Sequence, residues 1–191
     1  MAMRFFIALE IPDKDKASIQ AVQSRLYNLI PHLKITYQEK LHVTIAFIGD
    51  QPDNIKDNLI QVLENASKGL TPFDIAPAYI DGFPNVHKPD VLWMGVKGDI
   101  DKLYLLHERI KDGLRELNLY VDERRFVPHI TIAKWSEPQI ISQDLENEIQ
   151  EITGKVHFEP IRVTSVKLFE SIPDQGFHHH NTLSEISFGG G

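Results

Sequence analysis

Hydrophobic positions along the chain switch between two periods, and the switches outline the elements. Residues 5–9 form a short continuous apolar run, followed by Glu10 and stopped by Pro12, which predicts a first buried strand. From 13 to 30, the residues Ala17, Ile19, Val22, Leu26, Leu29 and Ile30 recur near helical spacing, with Asp13 placed to cap and Pro31 to close. Residues 41–48 are rich in β-branched side chains and predict a strand ending at Gly49-Asp50. A second helix is predicted over 52–70, with the stripe Ile55, Leu59, Val62, Leu63 and Ala66 and Gly69 as its end. Strands over 73–83 and 91–96 flank a Pro/Asn/Lys loop. A third helix, over 99–117, aligns Ile100, Leu103, Leu106, Ile110 and Leu114. A strand over 126–135, a short acidic helix over 142–152 and strands over 161–169 and 183–188 complete the chain.

The order β-α-β-α-β-β-α-β-α-β-β mixes single helices with strand pairs. It predicts an α+β fold rather than a wound parallel sheet. No Pro/Gly/Ser-rich linker interrupts it, so residues 1–191 are expected to form one domain, with Gly189, Gly190 and Gly191 as a loose tail. The N-terminal apolar run is too short for a signal peptide, and no run approaches the ~18 residues of a membrane span. A cytoplasmic protein is expected.

One word occurs twice. Residues 42–45 read His-Val-Thr-Ile and residues 129–132 read His-Ile-Thr-Ile, each followed by alanine, at an offset of 87 residues. With this composition, chance supplies only ~0.06 copies of His-apolar-Thr-apolar. Two copies point to structurally related halves. In a strand, side chains alternate between faces. His42 and Thr44 therefore share one face, as do His129 and Thr131, while Val43, Ile45, Ile130 and Ile132 are free to pack under helices.

Two imidazoles facing each other across a cleft can share acid–base work near neutral pH, one neutral and one protonated. The threonine hydroxyls add donors for a developing oxyanion. Such a set suits phosphodiester cleavage assisted by a neighbouring hydroxyl or at a cyclic phosphate, and needs no metal. Arg124, Arg125 and Lys134 surround the second word and can form a local phosphate collar.

The chain has no cysteine, which removes disulfides, thiol nucleophiles and zinc-thiolate sites. Its net charge of −7 opposes a sequence-blind grip on long nucleic acid. The acid excess is segregated, however: between Ser136 and Pro160, six acidic residues face Lys155 alone. A short RNA end in a locally basic cleft remains compatible. Phosphate-cradling Gly-Lys loops, dinucleotide fingerprints, nucleophile elbows and His-Glu-x-x-His are absent.

The repeated word and its surroundings resemble the 2H phosphoesterase superfamily, in its RNA 2′,3′-cyclic phosphodiesterase (2′-5′ RNA ligase-like) branch. The similar stretches are Arg4-Phe5-Phe6-Ile7-Ala8, residues 41–49, Gly82-Phe83-Pro84 with Val91-Leu92-Trp93, and residues 125–134. The resemblance implies a bilobal, pseudo-twofold fold in which each lobe is an antiparallel sheet with helices outside and the cleft lies between the lobes. It implies hydrolysis of RNA 2′,3′-cyclic phosphate ends to a 2′-phosphate without metal, ATP or other cofactor, with 2′-5′ ligation as the reverse. By the same resemblance His42 protonates the leaving oxygen, His129 activates water, and Thr44 and Thr131 bind phosphate oxygens. Pseudo-symmetry leaves the two histidines close to interchangeable. Phe47 falls near the expected base position, and Lys134 falls where the family more often has arginine. A monomer acting on an RNA end, away from membranes, is expected. Another cyclic or 2′-5′ nucleotide substrate, or a non-catalytic RNA-binding module, are the alternatives. His178-His179-His180 is expected on an exposed or cleft-rim strand, His87 in a plain loop, and Trp93 and Trp135 in the core. His32, His107 and His157 carry no pattern.

Overall fold

A computed structural model of the chain describes residues 1–137, 139–175 and 177–189. Its strands are β1 (Ala2–Glu10), β2 (Lys34–Ile35), β3 (His42–Pro52), β4 (Phe73–Phe83), β5 (Val91–Gly98), β6 (His129–Lys134), β7 (Ile161–Val163), β8 (Ser165–Asp174) and β9 (Phe177–Ser187). The helices are α1 (Lys16–Leu29), α2 (Lys56–Ser67), α3 (Ile100–Glu116) and α4 (Gln143–Glu151).

The apolar stripes called these helices to within a few residues. Ser142 caps α4 by accepting the Leu145 backbone N–H at 3.1 Å, and Gly69, at φ +75°, follows α2 in the left-handed conformation that glycine adopts without steric cost. At the start of α1 the outcome differs. Residues 13–15 form a single 3-10 turn, and no side chain caps the helix, which begins at Lys16.

All strand pairs are antiparallel, in the order β7-β4-β5-β6-β3-β1-β8-β9, with β2 added beside β6. Two four-stranded halves thus meet where β3 pairs β6, at Val43↔Ile130. These are the two strands that carry the repeated word.

Alternation settles which face packs. Val43, Ile45, Ile130 and Ile132 are buried in one core with the helix stripes, while His42, Thr44, His129 and Thr131 are only partly buried on the opposite, open face. The helices pack crosswise: α1, which follows β1, contacts β6, and α3, which follows β5, contacts β3.

The C-terminal part departs most from expectation. The strand predicted over 161–169 is two strands, and β9 begins at 177 rather than 183; the three consecutive histidines do lie on a strand, as expected of them, and it is continuous with the final one. Gly189 is not loose, because its N–H donates to the Leu70 carbonyl at 2.9 Å. Gly190 and Gly191 lie outside the described residues. Among the described residues, no helix is long and apolar enough to cross a membrane.

Candidate active site

The antiparallel register around Val43↔Ile130 sets His42 across from Thr131 and Thr44 across from His129. Each word also ends in a β-bulge. Ala8 pairs Thr44 and Ile7 pairs Ala46, leaving Ile45 as the extra residue. Trp93 pairs Thr131 and Leu92 pairs Ala133, leaving Ile132. A bulge increases local twist and re-aims neighbouring side chains, and here one lies immediately after each His/Thr pair.

Both rings are anchored to the backbone two residues upstream. His129 Nδ1–H donates to the Val127 carbonyl at 2.6 Å, which leaves Nε2 as the acceptor when the ring is neutral. His42 is hydrogen-bonded to the backbone of Lys40.

The rings differ in what surrounds them. His129 lies edge-on to Phe83, with ring centres 5.0 Å apart, and 5.3 Å from Trp93. Tyr79 crosses directly over Gly95, the register partner of His129; a Cβ at Gly95 would come within 2.2 Å of the Tyr79 ring. His42 lies 5.4 Å from Phe6 and 5.4 Å from His180. His180 reaches this place across β8, the strand between β9 and β1, and its ring stands 4.7 Å from that of Phe6. Beside them, Glu10, the register partner of His42, is ion-paired with Lys167.

These surroundings depress both imidazoles. Burial, then the neighbouring His180, lowers the His42 pKa from 6.5 to about 4; the bond to the Lys40 backbone and the Glu10 carboxylate oppose the shift, and His129 adds to it. Burial also lowers His129, against the bond to Val127. His180 is lowered to about 4 by burial, then by Lys40, His178 and His179.

A cavity of about 950 Å³ opens beside His129 and Thr44. Its walls include Phe47, 62% exposed, and Phe83. At its mouth Arg124 is held by Asp122, with Nη2 to Oδ2 at 2.7 Å, whereas Arg125 has no hydrogen-bond or ion-pair partner among the described residues. The basic collar is therefore narrower than the sequence suggests, because Arg124 is already neutralised. Lys134 is exposed and pairs Val91, itself the partner of Phe83, at the edge of the same face. His42, Thr131 and Lys134 do not line this cavity, so the seam between the words forms its margin.

Trp93 is buried, as expected, yet against His129 and outside the main core cluster, and its indole Nε1 has no hydrogen-bond partner among the described residues. Trp135 does join the core. The three consecutive histidines take three different partners: His178 meets Ser171 Oγ at 3.2 Å, His179 meets Asp174 at 3.0 Å, and His180 faces His42. His87 Nδ1 lies 2.9 Å from Glu146 Oε2, which brings its loop against α4. Sequence reasoning left Phe6, Phe83 and His180 without roles. Phe83 and Phe6 lay in readable strands, but no local pattern brings His180 to His42.

The curled antiparallel sheet thus carries a His/Thr pair on each of its two central strands, side by side. The chain belongs to the 2′-5′ RNA ligase superfamily, whose family model matches residues 11–171. Among its relatives is an RNA 2′,3′-cyclic phosphodiesterase of Methanothermobacter thermautotrophicus, 27% identical over 90% of this chain and 91% of that one. A Thermotoga maritima protein of the same name is 24% identical over 99% and 97%. A Geobacillus stearothermophilus relative, again of that name, is 30% identical over 69% of this chain but only 42% of its own length. The fold is similar to that of TT0787 of Thermus thermophilus, with TM-score 0.80 and 20% identity over 97% of this chain and 98% of that one. It is also similar to E. coli LigT complexed with 3′-AMP, with TM-score 0.70 and 16% identity over 98% and 99%.

Proposed function

We propose that this protein hydrolyses RNA 2′,3′-cyclic phosphate ends to a 2′-phosphate and a free 3′-hydroxyl. The observation that carries the reading is the placement of two imidazoles and two hydroxyls on one face, on either side of the Val43↔Ile130 seam. Relatives named for the same reaction support it.

Water attacks phosphorus as His129 Nε2 takes its proton. The bond from phosphorus to the 3′ oxygen breaks, and His42 supplies the proton that oxygen needs. Thr44 and Thr131 donate to the non-bridging oxygens as charge builds there. His42 is held neutral in the protein alone, and the negative phosphodiester favours its charged form when both meet. With a 5′-hydroxyl in place of water, the same displacement forms a bond from phosphorus to the 5′ oxygen as the bond to the 3′ oxygen breaks and that oxygen takes a proton, giving a 2′-5′ linkage. Phe47 and Phe83 offer faces to a base, and Arg125 and Lys134 offer charge to a phosphate.

The test is a short RNA ending in a 2′,3′-cyclic phosphate, assayed in EDTA with product identification. His42→Ala and His129→Ala should each lose about 10²–10⁴ in kcat/KM. Full activity in either variant, or a 3′-phosphate product, overturns the mechanism. Cyclic mononucleotides and 2′-5′ dinucleotides assayed alongside decide the substrate class.

Catalysis needs one proton on the pair. His42, lowered to about 4, is the more depressed of the two, so in the protein alone the single proton sits mainly on His129; the anionic phosphate draws it to His42, and the limbs of the profile belong to the pair. The profile of kcat/KM should therefore peak on the acid side of 6.5 and fall toward pH 9; a steady rise to pH 9 contradicts it.

A further inference from the structure

The bulges that end the two words leave backbone carbonyls that a regular ladder would have used, and each is met by a side chain from a helix. In β3 the Ile45 carbonyl accepts His107 Nδ1–H, from α3, at 2.8 Å. In β6 the Ile132 carbonyl accepts both the Thr36 backbone N–H, just past β2, and Gln23 Nε2–H, from α1, each at 3.0 Å; the second hydrogen of that amide goes to the Thr36 carbonyl at 2.9 Å, so Gln23 clamps Thr36 to the bulge. Gln23 is 3% exposed, with both hydrogens of its amide nitrogen on these two carbonyls. The pattern is the same in both halves: Gln23 and His107 stand 84 residues apart and the bulge residues 87 apart. It is also crossed. Helix α1 braces the second word and α3 braces the first.

We propose that Gln23 and His107 are a matched pair of positioning residues, which hold the bulges at Ile132 and Ile45 and so aim His129/Thr131 and His42/Thr44 toward a common phosphate. The proposal rests on His42 and His129 being the acid–base pair.

Bulges are soft points of a sheet, because the ladder is interrupted there. Without its helix donor the Ile45 carbonyl can swing toward water and take the neighbouring side chains with it, while at Ile132 loss of Gln23 leaves the Thr36 N–H as the remaining hold. A helix donor fixes each carbonyl, Gln23 from the buried side and His107 from the wall of the cavity beside Thr44. His107 has a second hold: its ring lies flat on Phe126 at 4.0 Å, with an interplanar angle of 8°. Phe126 precedes Val127, whose carbonyl orients His129. One side chain on α3 therefore touches the strand of the first word and the segment leading into the second.

The experiment separates donor from shape. His107→Phe keeps a ring for Phe126 and removes the donor; His107→Asn keeps an N–H at the position of Nδ1; Gln23→Met keeps the length and removes both donors. Imidazole resonances of the two catalytic histidines, read by NMR without substrate, report aim directly. His107→Phe should shift the His42 signals more than those of His129, and Gln23→Met the reverse. Each should lower kcat about tenfold to a hundredfold, the scale of a displaced catalytic group, with KM changing less. His107→Asn should restore most of the His42 signal and of the rate. Unmoved resonances, kcat/KM within about twofold of wild type, or losses that follow thermal stability alone and are not rescued by His107→Asn overturn the proposal. Because the resonances are read without substrate, a wild-type protein that fails to hydrolyse the cyclic phosphate would overturn the proposed reaction and leave the aiming result standing.

Discussion

His42 and His129 share a backbone plan and differ in their neighbours. Each sits two residues after the backbone group that holds its ring, beside a threonine on the same face, and three residues before a bulge. Around His129 the contacts are Phe83 and Trp93, with the large cavity opening beside them. Around His42 they are Phe6 and a third imidazole, His180, with the Glu10–Lys167 pair alongside. A duplicated strand fixes where a ring starts and which way it points. The side chains that pack against it come from other strands and are free to diverge, so two rings on one plan acquire different proton affinities.

The largest effects test whether the two halves are needed equally. Single His→Ala changes at 42 and 129 should each remove nearly all activity, and the double change should cost little more than either, because an acid and a base serve one proton-transfer event. Strict additivity in the measured kcat/KM would show two independent contributions instead.

Next come the hydroxyls. Thr44→Val and Thr131→Val should each lower kcat about tenfold to a thousandfold with smaller changes in KM, as for an oxyanion donor. An effect confined to KM would make them ground-state contacts.

His180→Phe sharpens the comparison itself. It keeps a ring against Phe6 and removes a titrating neighbour, so the His42 midpoint should rise from about 4, by about half a pH unit for a like charge across a partly wet gap. The His129 midpoint should stay in place. NMR titration reads both, and a fixed His42 midpoint would leave burial as the whole cause.

The smallest effect is on stability. The folded pKa values of His42, His129 and His180 lie below the unfolded value of 6.5, so the unfolded chain binds more protons on acidification. Their contribution is fully present above 6.5 and is lost as pH falls toward about 4. The wild-type Tm should drop over that window, and His180→Phe should flatten the drop.

Much of this was readable from periodicity. The four helices follow stripes such as Leu103, Leu106, Ile110 and Leu114, and the burial of Val43, Ile45, Ile130 and Ile132 follows from strict alternation. The histidines were expected on a strand, and they are on one, but its start was not readable. Residues 178–182 are polar, with no apolar alternation to join them to the run at 183–188, and they pair because β8 lies beside them. Arg124 looked like a free cation, but the carboxylate two residues before it takes it.

By itself the sequence determined the two His/Thr faces, because a period of two is local, and the kinship of the halves, because the repeated word is in the chain. Tertiary structure alone decided that the two words lie side by side, that His180 stands against His42, and that Gln23 and His107 reach the bulges of the opposite half. Each of these joins residues tens of positions apart. Sheet order, curl and crossed helix packing set such contacts, and none of the three has a local signature in sequence.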